Sequence, residues 1–203
     1  MKLRDILTAA FSLAAYPVVM LLLRIREPET YRFYGLTRRV RRAYQKGDYP
    51  NAERLARECL ALAERHTDDF MYGNAIHRSH QILGLIRLHQ GDVEQAKRHL
   101  LLAGQSPGSP QLDSYGPGMT LARELLERQE RDIVIEYLDL IARFWATESS
   151  NLEFRRLLRE DGEEQQYVGR MRSRRALIEQ WKKQIRRGET PRHKRWNRGL
   201  WFF

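Results

Sequence analysis

Apolar residues recur along much of the chain with the three- and four-residue spacing of one face of an α-helix. The pattern is clearest between His77 and Pro110. There it predicts two helices that are separated by a tight turn at Gly91-Asp92 and ended by Gly104 and Pro107. The apolar positions of the two helices are Ile82, Leu85, Ile86, Leu88, Ala96, Leu100 and Ala103. A hairpin of this size cannot bury its own apolar face, so the pattern indicates neighbouring hairpins of the same kind.

The same arrangement occurs once before this segment and once after it. The upstream copy turns at Gly47-Asp48, and the downstream copy turns near Gln129. The three turns are therefore about 40 residues apart, a period typical of stacked helical repeats. We predict an all-α fold in which three helix-turn-helix hairpins stack in tandem.

The middle hairpin carries the residues of a known repeat. It has Leu83-Gly84 in the first helix, Gly91 at the turn, Ala96 and Ala103 in the second helix, and a closing Pro110. On these residues the chain resembles the tetratricopeptide-repeat (TPR) family over about residues 33–146. The resemblance implies about three TPR-like repeats that form a short α-solenoid.

The outer two hairpins match this repeat less well. The first keeps Gly47, Tyr49, Ala52 and Leu60 but lacks the Leu-Gly pair, and the third lacks the turn glycine. The loop after Gly104 and the C-terminal part of the chain resemble a group of uncharacterised bacterial TPR-like proteins, a likeness that implies no activity. The residues that carry this second likeness are Gly108–Leu112, Gly116, Pro117, Met119, Leu121, Ala122, Trp181, Ile185, Gly188 and Pro191.

An uncharged stretch of eighteen residues, 6–23, precedes the repeats. As a helix it would be about 27 Å long, close to the thickness of a bilayer core. We therefore expect a single-pass N-terminal membrane anchor; a cleaved signal peptide and a helix packed on the repeats are the alternatives. Seven arginines between residues 24 and 42 favour a cytoplasmic repeat domain. The expected organisation is an N-terminal hydrophobic segment (1–30), a helical repeat domain (31–146) and a basic C-terminal region (147–203).

The net charge of +10 is concentrated in residues 31–66 and 147–203, on either side of the middle and last hairpins, which are neutral to acidic. Basic flanks suggest anionic partners. Residues 167–187 predict a basic helix with a narrow apolar stripe, followed by a basic and aromatic tail. This region could contact a membrane surface, cover the end of the repeats or bind nucleic acid. The predicted membrane or anion contacts are Arg192, Lys194, Arg195, Trp196, Arg198, Trp201, Phe202 and Phe203.

The sequence contains none of the common catalytic or nucleotide-binding motifs. His77 and His80 could share a helix face, but no third ligand has a matching spacing, so we expect no metal site. The single cysteine, Cys59, occupies a position typical of small packed residues. We predict that the protein is not an enzyme and needs no cofactor.

In the TPR family the first helix of each hairpin lines a concave groove, so the resemblance implies a partner-binding groove here. Arginines beside tyrosines and leucines would suit a protein or peptide with an acidic or extended segment. The sequence therefore predicts a membrane-anchored adaptor for protein–protein interaction. The alternative is a soluble or secreted repeat protein that binds nucleic acid or another anionic polymer through its basic C-terminal tail. The predicted groove residues are Tyr34, Arg41, Tyr44, Arg78, Gln81, Leu85, His89, Met119 and Arg123.

Overall fold

The computed structural model describes residues 16–148, 152–192 and 196, and within these ranges the chain forms ten α-helices and no β-strand. The predicted all-α class is therefore confirmed. The helices are α1 (Tyr16–Arg26), α2 (Pro28–Gln45), α3 (Tyr49–Ala63), α4 (Tyr72–His89), α5 (Val93–Gly104), α6 (Pro110–Tyr115), α7 (Thr120–Glu127), α8 (Arg131–Trp145), α9 (Leu152–Glu160) and α10 (Glu164–Arg186).

Three pairs of consecutive helices lie where the hairpins were predicted: α2 with α3, α4 with α5, and α7 with α8. Gly47 and Gly91 adopt the left-handed backbone conformation in the first two turns, with φ of 75° and 81°. In the third turn Gln129 takes the same conformation, with φ of 67°, although it has a side chain. The third turn therefore keeps the geometry of the other two without their glycine.

Two apolar clusters form most of the core. The amino-terminal cluster joins α2, α3 and one face of α4 around Phe33, Leu36 and Ile82. The carboxy-terminal cluster joins α4, α5, α7, α8 and α10 around Leu85, Leu100 and Trp145. Because α4 contributes to both clusters, it is the element that joins the first hairpin to the last.

Gly84 explains why a Leu-Gly pair stands in α4. A Cβ atom at this position would lie 2.3 Å from Cδ2 of Leu121 on α7. The Leu121 side chain would have to move to make room for such an atom, and glycine avoids this shift. Leu83 and Leu121 are both buried beside this contact.

Helix α10 packs against α8 and extends the carboxy-terminal cluster. Trp181 of α10 stacks on Trp145 of α8, with ring centroids 6.3 Å apart and planes 11° apart. Trp196 meets Trp181 edge-on at 5.6 Å. These three indoles supply a large share of the apolar area at this end of the molecule.

Arg174 fastens α10 to the rest of the structure. Its guanidinium donates to the carboxylate of Asp113 at 2.5 Å, to the backbone carbonyl of Asp113 at 2.7 Å and to the backbone carbonyl of Trp145 at 3.1 Å. It also lies 5.3 Å above the Trp145 ring. Asp113 belongs to α6, a short helix within the Gly104–Gly118 connection that was predicted only as a turn-rich loop.

The predicted membrane anchor over residues 6–23 is wrong. Among residues 16–148 and 152–192, no helix is long and apolar enough to cross a membrane. Helix α1 has eleven residues, or about 16 Å, and Arg24 and Arg26 occupy its last turn. Its end is continuous with the packed domain, since Leu23 is buried and its carbonyl accepts a hydrogen bond from Glu27. Residues 6–15 of the predicted span lie outside the described ranges.

This correction also removes the two conclusions drawn from the anchor. The single-pass membrane location with a cytoplasmic repeat domain depended on a span of about twenty apolar residues. The membrane-anchored adaptor depended on the same span. Both predictions are wrong for the same physical reason, namely that the described apolar helix is too short.

Candidate functional site

The first helices of the three hairpins, α2, α4 and α7, form one surface, because α4 contacts α2 and α7. We call it the inner face. Of the nine predicted groove residues, Gln81, Leu85 and Met119 are buried, and His89 is exposed. The other five are half-buried and are Tyr34, Arg41, Tyr44, Arg78 and Arg123. Whether any of them contacts a partner stays a prediction.

The predicted aromatic groove residues are bonded within the fold. Tyr44 Oη lies 3.1 Å from His89 Nε2, and Tyr49 Oη approaches the same nitrogen at 3.4 Å. Burial raises the pKa of Tyr44 well above its ordinary value, with a smaller contribution from the negative charge of Glu124. Tyr34 donates a hydrogen bond to Asp69 at 2.7 Å. These contacts join α2 to its neighbours and give the tyrosines a structural role.

Arg123 on α7 faces the C-terminal segment. Its guanidinium lies 3.5 Å from the backbone carbonyl of Trp196 and 3.8 Å from the carboxylate of Glu127. Trp196 therefore lies beside this end of the inner face.

Arg41 and Arg78 lie on adjacent helices, α2 and α4, and interact electrostatically. Burial, together with a smaller contribution from repulsion by Arg41, lowers the pKa of Arg78 to about 10. Burial also lowers the pKa of Arg41, with added repulsion from Arg42 and Arg38. The structure thus brings together two groove residues that the sequence had placed in different repeats.

Sequence reasoning missed a buried polar network between α4 and the connection before α7. His77 Nδ1 donates to the carbonyl of Ala103 at 2.9 Å, and His77 Nε2 accepts the backbone N–H of Gly118 at 2.8 Å. Tyr137 donates to the carbonyl of Gly118, and Gln81 donates to the Tyr137 hydroxyl at 3.3 Å. Burial lowers the pKa of His77 to about 4, so the ring is neutral near pH 7. The Gly-Pro-Gly run before α7 was the signal of a tightly held backbone here.

His77 and His80 do not form the pair considered from their spacing. His80 instead pairs with His99 on α5, with 3.1 Å between the two Nδ1 atoms. Within the ranges that the structure describes, no three His, Cys, Asp or Glu side chains are placed to hold a metal ion. Cys59 is fully buried, and burial raises the pKa of its thiol to about 11, which disfavours the reactive thiolate.

The outer side of α10 carries a row of basic residues, which we call the basic stripe: Arg172, Arg175, Lys183 and Arg186. Their spacing puts all four on one face of the helix over about 21 Å. All four are exposed, and none forms an ion pair within the described part of the chain. Glu179 lies in the same row, but its carboxylate is paired with Lys182 at 2.9 Å.

The residues predicted to contact a membrane or an anion follow α10. Arg192 is exposed. Trp196 is fully buried between Trp181 and the rest of the carboxy-terminal cluster, so its ring does not reach the surface. The remaining six lie outside the described residues: Lys194, Arg195, Arg198, Trp201, Phe202 and Phe203.

Comparison with known proteins supplies no family for this arrangement: no family model, curated protein or solved structure matches the chain. The function of this protein therefore has to be inferred from its own side chains. Two basic features stand out, the exposed stripe on α10 and the enclosed arginines of the inner face.

Proposed function

We propose that this protein is a non-catalytic, TPR-like helical-repeat scaffold that binds nucleic acid through the basic stripe of α10. The observation that supports the proposal is the row of four exposed basic side chains, none of which forms an ion pair among the residues that the structure describes. In this proposal the hairpins form a short α-solenoid that presents α10 as a rigid edge.

The chemistry of the stripe suits a phosphate backbone. Three of its four members are arginines, whose planar guanidinium binds phosphate oxygens through two parallel hydrogen bonds. A row about 21 Å long matches about six base pairs of a duplex or a few nucleotides of a single strand. No exposed aromatic residue is interleaved with the four, so we expect contact with phosphates and no reading of bases.

The attachment of α10 favours such a role. Arg174 and Trp181 hold the opposite side of the helix, so the stripe does not have to become ordered upon binding. Arg187 is exposed just after the helix and adds positive charge beside the stripe. Electrostatic attraction would therefore bring the polymer to a preformed surface.

Binding of labelled single-stranded and duplex oligonucleotides at several salt concentrations tests this function. We expect dissociation constants of about 1 to 100 μM at physiological salt and a steep loss of affinity as salt rises. The double variant Arg172→Gln/Arg175→Gln should weaken binding by about tenfold and reduce the salt slope by about two. Its melting temperature should be unchanged, because both side chains are exposed and unpaired.

The matched control is Arg98→Gln/Arg143→Gln, which removes two exposed, unpaired arginines from α5 and α8. The net charge change is identical, so equal losses in both double variants would contradict a site on α10. If heparin binds while neither DNA nor RNA does, the ligand is another anionic polymer and the nucleic-acid assignment is wrong.

A further inference from the structure

Arg41 on α2 has two donor atoms that are enclosed and unused. Its Nε and one terminal nitrogen are shielded from solvent and have no hydrogen-bond partner in the described part of the chain. A guanidinium is never deprotonated near neutral pH, so these donors keep their positive charge. An enclosed, charged donor without an acceptor is costly, and a bound anion is one way to supply the acceptor.

The surroundings of Arg41 are positive. Arg38 and Arg42 lie on the same helix, and Arg78 approaches from α4. No carboxylate forms an ion pair with Arg38, Arg41 or Arg42 within the described residues. Arg78 makes a further interaction within the fold. The enclosed donors that have no hydrogen-bond partner are therefore those of Arg41.

From these contacts we infer that Arg41, with Arg78, Arg38 and Arg42 around it, forms a binding site for a phosphate dianion, either free or as the terminal group of a phosphate monoester. The ligand would accept hydrogen bonds from Nε and the terminal nitrogen of Arg41, which requires the side chains that cover these two nitrogens to move aside. Its two negative charges would offset the repulsion among the surrounding guanidinium groups.

The number of arginines favours phosphate over a carboxylate. A single carboxylate carries one charge and would leave most of the local repulsion uncompensated. A phosphate dianion carries two charges and has three or more acceptor oxygens, which match the forked donors of several arginines. This site lies on the inner face, away from α10, and is independent of the nucleic-acid function proposed above.

Thermal unfolding in inorganic phosphate tests the site. Phosphate replaces chloride at constant ionic strength, up to about 10 mM, where general salt effects on stability are small. We expect the melting temperature of the native chain to rise by about 3 °C or more as the site fills. Arg41→Gln should melt at a higher temperature than the native chain in chloride, because the unpaired charge is gone, and should no longer respond to phosphate.

Arg39→Gln is the matched control, since Arg39 is an exposed arginine on the same helix without an ion pair. It should keep the native phosphate response, and so should Arg172→Gln/Arg175→Gln. Arg41→Lys keeps the charge but loses the forked donors, so it should lose most of the response even if Arg41→Gln does not fold.

Three outcomes would overturn the inference. The first is a native chain that does not respond to phosphate. The second is an Arg41→Lys variant that responds like the native chain, and the third is acetate that stabilises as well as phosphate does. O-phosphoserine distinguishes the two sources of the ligand: stabilisation by both compounds assigns a monoester site, and stabilisation by inorganic phosphate alone assigns a site for the free ion.

Discussion

His77 on α4 and Arg41 on α2 differ in whether the buried polar atoms of their side chains have hydrogen-bond partners. His77 has a partner at each ring nitrogen, the carbonyl of Ala103 and the N–H of Gly118. Arg41 has enclosed donors with no partner, and it faces other arginines. A buried group whose hydrogen bonds are complete stabilises the fold, whereas one whose donors are open is a candidate for binding. Mutation should therefore move the stability of the protein in opposite directions at the two positions.

The largest effect should come from His77→Ala. The change leaves Ala103 O and Gly118 N–H unbonded and opens a cavity, so we expect a loss of about 3 to 4 kcal/mol in the free energy of unfolding. Urea denaturation measures it. His89→Ala, at an exposed position on the same helix, should cost less than about 1 kcal/mol. A similar loss in both variants would remove the distinction drawn for His77.

Acid should lower the stability of the protein, because the fold requires a neutral His77. The folded-state pKa of about 4 lies below the ordinary value of 6.5, so the unfolded chain takes up the proton first as the pH falls. Stability is therefore complete above pH 6.5 and decreases between pH 6.5 and 4, by up to about 3 kcal/mol from this residue.

Denaturation curves at several pH values check this expectation. His80 and His99, whose pKa values burial also lowers to about 4, are partly exposed and should add smaller amounts. The variant His77→Gln should show a shallower pH dependence than the native chain. An unchanged dependence would assign the acid sensitivity to the other two histidines.

A smaller difference in stability is expected between alanine variants of two adjacent arginines of α10. Arg174→Ala removes three hydrogen bonds and the contact with Trp145, and we expect a loss of about 2 kcal/mol, because Asp113 remains partly solvated. Arg175→Ala should change stability by less than about 0.5 kcal/mol, because its side chain is exposed. Thermal melts of the two variants measure the difference. If Arg175→Ala is as damaging as Arg174→Ala, the stripe on α10 is part of the packing and is not a free surface.

Much of the hairpin architecture was predictable because it depends on local signals. Apolar spacing located the six hairpin helices, and Gly47 and Gly91 marked two of the turns. The basic helix near the C-terminus was also visible, since its apolar stripe and its charges alternate with helical period. The short helix α6 was missed because prolines and glycines dominate its segment.

The candidate sites were less predictable. The sequence placed Arg41, Leu85 and Met119 on one groove by analogy with a repeat family, but Leu85 and Met119 are buried. The uncharged run at 6–23 met the criterion for a membrane span, yet its described part is a short helix that joins the packed domain through Leu23. Linear hydropathy reports composition and does not show how long a continuous helix the apolar run forms.

The sequence by itself determined the helical class, the positions of the hairpin turns and the concentration of positive charge on the flanks. These properties depend on the spacing of neighbouring residues and on composition. Only the tertiary structure decided which charged groups are paired. It placed Arg174 against Asp113, left Arg175 in solvent and brought Arg41 close to Arg78, because long-range packing sets the distance between residues far apart in the chain. Burial and pairing separate a structural arginine from a binding one, and both depend on those distances.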